Sequence, residues 1–234
     1  MNAAISGDIV SSTALTIEEK ESLFNGLRSL IETVRGFMDS ENEPFYGRII
    51  KGDYIECYLK SPVLSLRVAL IIKSFVKFQT VDASLSSDKK EKLNRQLFNQ
   101  FGIRLAIGVG LMQKVDLDNG ILDGDAIYLS GRKMDETKSY SSVIRNTMFF
   151  DSTDVGLAAR FDTMITLIDE IINRCSPKQS EIVYHKLLKK KEAEIAALLG
   201  VTQSTVNQHS TAAGWNSIEK AVSHYEQLFI KGVF

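Results

Sequence analysis

Ala4-Ile5-Ser6-Gly7-Asp8-Ile9-Val10-Ser11-Ser12-Thr13 starts apolar, reaches a carboxylate and breaks at once into small hydroxyl residues. A helical pattern follows directly. The stretch reads as a buried strand, an acid at its end, a hydroxyl-rich turn and a helix start. Helix starts present backbone N–H groups and a positive dipole end, which favour anions. A carboxylate in that place can bridge a divalent cation to a phosphate. The same residues also suit a plain turn and an N-cap formed by Asp8 with Ser11, Ser12 or Thr13. Taken alone, the stretch favours the plain turn and cap.

Downstream, apolar residues at Leu23, Phe24, Leu27, Leu30, Ile31, Val34, Phe37 and Met38 draw one stripe along a helix beginning near Ile17. Residues 45–50 and 54–59 read as two strands joined by Lys51-Gly52-Asp53, a tight turn with glycine beside an acid. In the second of these strands Ile55, Cys57 and Leu59 share one face, and Tyr54, Glu56 and Tyr58 a wetter one. Pro62 opens a helix over 63–78 that is apolar nearly all round. Residues 81–92 read as a loop leading into a surface helix. Residues 103–111 form a strand with Ile103, Leu105, Ile107, Val109 and Leu111 on one face and Ala106, Gly108 and Gly110 on the other. A face without side chains suits the close approach of a backbone or a flat ligand, or marks a bulge. Residues 113–123 read as a loop, 125–137 as a helix and 143–150 as a further strand. This order predicts an α+β fold: a ferredoxin-like sheet with helices on one face, followed by an all-α domain. The boundary falls near 155, giving domains 1–155 and 156–234, with 161–172 as a connecting helix.

Composition narrows the function classes. The chain of 234 residues is 44% hydrophobic and 24% charged, with a net charge of −1. No global field therefore draws it to nucleic acid or membrane. Cys57 and Cys175 lack CxxC spacing and read as reduced thiols. The three histidines have no cysteine or acid neighbours spaced for zinc. No signal peptide and no run of about 18 apolar residues is present. A cytoplasmic protein without a membrane span is expected.

Asp8 and Asp53 are the candidate metal ligands. In a ferredoxin-like sheet the first strand lies beside the hairpin, so the two carboxylates can converge. Two acids in a strand-end cleft hold divalent ions of the kind that stabilise in-line attack on phosphorus. Asp8 to Thr13, Gly52-Asp53, the Ile103-Arg104-Leu105-Ala106-Ile107-Gly108-Val109-Gly110 strand and the segment 124–132 together resemble the ordered motifs of class III nucleotidyl cyclases. The resemblance covers roughly the first 150 residues. It implies Asp8 and Asp53 as ligands for Mg²⁺ or Mn²⁺, and the turn through Ile9, Ser11, Ser12 and Thr13 as the phosphate seat. It implies Arg132 as a catalytic residue reaching in from a partner subunit of a head-to-tail homodimer. Tyr128 stands where the family has an asparagine four residues earlier. The base-selecting lysine falls near Ile49, or on Lys51 with a gap, and the base-selecting acid near Ile121.

Residues 191–209 read as helix, turn, helix. Ile195, Leu199, Val201 and Val206 supply a small core, Ala196 a close crossing and Gly200 the left-handed turn residue. Ser176-Pro177-Lys178 starts a preceding helix and 217–229 a closing one. The segment resembles the DNA-reading modules of bacterial transcription regulators. In that role Thr202, Gln203, Ser204 and Gln208 face the major groove. Lys186, Lys189, Lys190 and Lys191 meet phosphates. The recognition helix carries no arginine or lysine, and His209 stands at a core boundary. The combination also resembles the SatD-type family of bacterial proteins. The expected function is a DNA-binding transcriptional regulator with a nucleotide-binding or dimerising cyclase-like domain. The alternative is a metal-dependent nucleotidyl cyclase.

Overall fold

A computed structural model describes residues 1–50, 52–139 and 146–232, without the side chains of 137–139. Among these residues five strands form one sheet in the order β2-β3-β1-β4-β7. The strands are β1 (Asn2–Ile9), β2 (Phe45–Ile50), β3 (Tyr54–Leu59), β4 (Ile103–Gly110) and β7 (Met148–Ser152). β1 is central and antiparallel to both neighbours, while β7 adds in parallel to β4. Ala3 to Gly7 are all buried, as both faces of the sheet are covered.

α1 (Ile17–Ser40) and α2 (Ser65–Phe78) lie on the face that carries Ile5, Ile55, Cys57 and Ile107. α1 buries Leu23, Leu27, Leu30, Ile31, Val34, Phe37 and Met38, the predicted stripe. Thr16 caps it: its hydroxyl accepts from Glu19 N while the Glu19 carboxylate accepts from Thr16 N. The cap thus falls on Thr16, past the hydroxyl cluster at 11–13. α3 (Lys89–Phe101) leads into β4.

The expectation of helices on one face is corrected by α4 (Asp125–Ser139), which covers the opposite face. Ser130 Oγ lies 2.9 Å from Ser6 Oγ. A Cβ at Gly108 would sit 2.2 Å from Ala126 O and 2.6 Å from Ser130 N. The side-chain-free stripe of β4 is therefore the seat of another backbone, and only glycine fits there. The loop read over 113–123 is also corrected. It is a hairpin of β5 (Met112–Asp116) and β6 (Ile121–Gly124), closed by Asn119 N donating to the Asp116 carboxylate. Its apolar residues Val115, Leu117 and Ile121 are exposed, so no core periodicity announces its strands. β7 is displaced from the predicted 143–150; residues 143–145 lie outside those described.

After β7 come α5 (Val155–Arg174), α6 (Pro177–Leu187), α7 (Glu192–Leu199), α8 (Gln203–Ala212) and α9 (Trp215–Lys231). α5 and α9 share the core of the sheet. Phe150 of β7 packs edge-on against Phe161 and Tyr225, with ring centroids 5.4 and 6.2 Å away. Tyr225 Oη lies 2.7 Å from Ser65 Oγ on α2, and Arg67 donates to both oxygens of Glu226. Among the described residues no helix is long and apolar enough to cross a membrane.

α2 is buried on every side from Ser65 to Lys77, and it carries two lysines inside. Lys73 Nζ donates to Phe101 O (2.8 Å), Ile103 O (2.9 Å) and Thr147 Oγ1, and lies 3.5 Å from Asp169 Oδ1. Asp169 on α5 accepts from the N–H groups of Thr147 and Met148. Lys77 donates to the carbonyls of Asn99, Gln100 and Asn173. Burial pulls the Lys73 ammonium down to about 8, so it is charged at neutral pH and needs Asp169. Removing one partner of a buried pair strands the other charge. Lys73→Met is expected to cost about 3–5 kcal/mol in urea unfolding. A loss below about 1 kcal/mol would show that this network does not hold α2 to α5.

Candidate functional site

β1 fixes the site by its register. Asp8 sits opposite Tyr54 on one side and Arg104 on the other. Beyond it, Ile9 N donates to Asp53 O at 3.1 Å and Val10 N to Gly102 O at 2.9 Å. Asp8 and Asp53, far apart in sequence, therefore share one rim of the sheet. Their carboxylates have separate partners. Asp8 Oδ2 accepts from Arg104 Nη2 at 2.6 Å, with both side chains about one-fifth exposed (20% and 18%). Asp53 Oδ2 accepts from Ser12 Oγ at 2.7 Å.

The chain then turns. Ser11 takes a left-handed conformation (φ 54°), and residues Ser12–Ala14 form a single 3-10 turn. The first N–H groups of such a turn have no partner inside it. Arg95, 1% exposed, holds the turn from beneath: Nη1 donates to Ala14 O at 2.9 Å, and the guanidinium grips the Glu19 carboxylate. Ile9, Ser12, Thr13, Lys20, Phe24, Gly52 and Asp53 line a cavity of about 240 Å³ between this turn, the hairpin and α1. Four predicted residues, Ile9, Ser12, Thr13 and Asp53, thus meet around one space. Ser11 makes the adjoining turn. Lys51 lies outside the described residues.

Arg132 and Tyr128 lie elsewhere. The Arg132 guanidinium is 5.6 Å from the centre of the Tyr128 ring and 3.3 Å from Asp151 Oδ2. Asp151 registers with Gly108, four residues along β4 from Arg104, the partner of Asp8. That is about 13 Å of strand. Within one chain Arg132 is therefore not brought to the Asp8 rim.

Among the described residues no group of three or more His, Cys, Asp or Glu is placed to hold a metal ion. Asp53 and Ser12 offer hard oxygens at the cavity wall. Mg²⁺ takes one or two carboxylates and completes its shell with water and phosphate oxygens. Asp53 fits that donor set when a phosphate is present. Asp8 has its charge already met by Arg104.

The helical end has its own small core. Ile182, Ile195, Ala196 and Val206 are buried together, with Leu199 and Val201 packed against them. Gly200 takes φ 64° between α7 and α8. Thr202 caps α8 by accepting from Thr205 N at 3.1 Å. Thr202, Gln203, Ser204 and Gln208 are exposed, and Val206 points inward. The lysines divide. Lys186 pairs with Glu192 at 2.7 Å and lies over the Trp215 ring. Lys189 pairs at 2.6 Å with Glu41, the residue that caps the end of α1. Lys190 and Lys191 are exposed at a cavity of about 530 Å³ that reaches Gln203. Burial, with Lys190 beside it, pulls His185 down to about 4, so it adds no charge to this face at neutral pH.

Sequence reasoning missed Lys20, Arg104 and Arg95. Lys20 had a signal, as the one cation in an acidic first helical turn beside the hydroxyl cluster. Arg104 stands in an otherwise apolar strand, and only the register reveals its partner. Arg95 gives no sign within its polar helix.

No family model and no curated protein matches the chain. One solved structure, of a bacterial light-regulated adenylyl cyclase, is similar with a TM-score of 0.42 and 14% identity, over 64% of this chain and 74% of that one. A second bacterial light-regulated adenylyl cyclase structure gives 0.40 and 15%, over 64% of this chain and 41% of that one. At this level of similarity the likeness carries no inference about chemistry.

Proposed function

We propose that this chain is a DNA-binding transcriptional regulator whose sheet-bearing part binds a nucleotide at the β1 rim. The observation that carries the nucleotide part is one cavity lined by Ile9, Ser12 and Thr13 from one segment and by Asp53 from another, with Lys20 at its wall. Phosphates would lie against the Ser12–Ala14 turn and Lys20. Mg²⁺ or Mn²⁺ would be held by Asp53 and supply charge neutralisation there. The antiparallel order β2-β3-β1-β4 supports a ferredoxin-like, cyclase-like domain. The α7–α8 pair, with its left-handed Gly200, supports a helix-turn-helix. Its exposed Thr202, Gln203, Ser204 and Gln208 are suited to base edges, and Lys190 and Lys191 to phosphates. We place the protein in the cytoplasm as a homodimer, the arrangement in which Arg132 of one subunit would approach the rim of another.

Metal-dependent cyclisation of a nucleoside triphosphate is the second reading. The shared rim of Asp8 and Asp53 favours it. The Arg104 guanidinium on Asp8 weighs against a two-metal site, so binding without turnover is the reading we favour.

The first test titrates the full chain with the four nucleoside triphosphates in Mg²⁺ or Mn²⁺ and analyses the mixtures for cyclic product. At least one triphosphate is expected to bind and to stay intact. Asp53→Ala should weaken it about tenfold or more, the worth of one charge-assisted contact. No binding, or binding indifferent to Asp53→Ala, contradicts the proposal. Cyclic product lost in Asp8→Ala would establish the second reading instead. A second test measures binding to a pool of DNA duplexes across salt concentrations. Affinity should fall steeply with salt, and Lys190→Ala should reduce the slope by about 1. Gln203→Ala with Gln208→Ala should flatten sequence preference. Duplex binding that ignores all three changes would contradict a DNA-reading role for α8.

A further inference from the structure

The rim cavity has a neighbour. A second space of about 360 Å³ lies between α1 and the edge strand β2, bordered by Arg28, Arg35 and Arg48 and by one acid, Glu32. The two cavities share two walls, Phe24 and Gly52. Gly52 has φ 87°, and a Cβ there would meet Phe24 Cζ at 2.9 Å. The Phe24 ring thus rests edge-on against the hairpin turn and forms the sill between the two spaces.

The charges on either side of this sill are unequal to their neighbours. Arg35 is paired with Glu32 at 2.6 Å, and Arg48 with Glu56. Among the described residues Lys20 and Arg28 have no ion-pair partner. They stand four residues to either side of Phe24, so all three fall on one helical stripe. Lys20 borders the first cavity and Arg28 the second. Their Cα atoms are separated by about 12 Å of helix rise, a span that two long side chains can close from both ends. The wall therefore reads cation, aromatic ring, cation.

We infer that the ligand carries phosphates at both ends of a nucleoside, as in a nucleoside 3′,5′-bisphosphate or a dinucleotide. This rests on the nucleotide reading given above. One phosphate lies at Ser12, Thr13 and Lys20. The base or sugar lies over Phe24, and the second phosphate meets the Arg28 guanidinium, which suits phosphate bidentately. A simple 5′-nucleotide would leave Arg28 without its anion.

The experiment compares, by calorimetric titration of the full chain in Mg²⁺, the 5′-monophosphate and the 3′,5′-bisphosphate of each of the four common ribonucleosides. The best bisphosphate is expected to bind about tenfold more tightly than its monophosphate, the fold-change of one charge-assisted contact. Arg28→Gln should abolish that preference and leave monophosphate affinity within about twofold, since Arg28 is exposed on α1. Its circular dichroism melt should match the wild type. Equal affinities in the wild type, or a preference that survives Arg28→Gln, would overturn this inference while the nucleotide reading stands. Failure of both series to bind would overturn the two together.

Discussion

β1 is hydrogen-bonded along both edges, and everything at the rim follows from that. Its register leaves Asp8 between Tyr54 and Arg104. A slip of one residue would turn Ile5 toward α4 and Ser6 into the apolar face under α1 and α2, so the register is strongly specified. α4 locks it from the other side, with no space for a Cβ at Gly108. The chain leaving Ile9 is stapled at once to Asp53 and Gly102. The Ser12–Ala14 turn is therefore held ready on a rigid frame, with Arg95 fixing its far end. Backbone donors held this way need little reorganisation to meet an anion.

The same frame extends into the helical end. α2 is enclosed by the sheet, α1 and α6, and its two buried lysines are satisfied by carbonyls of α3, β4 and α5 and by Asp169. α1, whose first turns border the rim cavity, ends at Ser40, and Glu41, which caps that end, pairs with Lys189 just before α7. One helix thus runs from the candidate phosphate seat to the turn that carries the α7–α8 pair. Its 24 residues span about 36 Å. One buried core joins β1 to α5, α6 and α9 across the domain boundary expected near residue 155, while α7 and α8 pack on the small core of their own.

Much of this was legible in the residues. A continuous apolar run marked β1, which is covered on both faces, and alternating or helical spacing marked the β2–β3 hairpin, α1 and the α7–α8 pair. What failed to show was what depends on register or distant partners. The small-residue face of β4 offered backbone, ligand or bulge, and only the packing of α4 decided among them. The apolar look of α2 announced burial but concealed Lys73 and Lys77, whose partners lie up to 96 residues away. The β5–β6 hairpin exposes its apolar residues, so no pattern set it apart from a loop. Arg104 was visible as a residue, yet its claim on Asp8 is a cross-strand pairing and not a motif.

The central claim is that the turn after β1 and the hairpin at Asp53 form one nucleotide-phosphate seat. Hydrogen–deuterium exchange of the full chain, with and without the tightest-binding nucleotide and Mg²⁺, tests it directly. Slowed exchange is expected at residues 9–15 and 52–53, with little change in α8 and α9. Slowed exchange confined to the helical end, or none at 9–15, would contradict it.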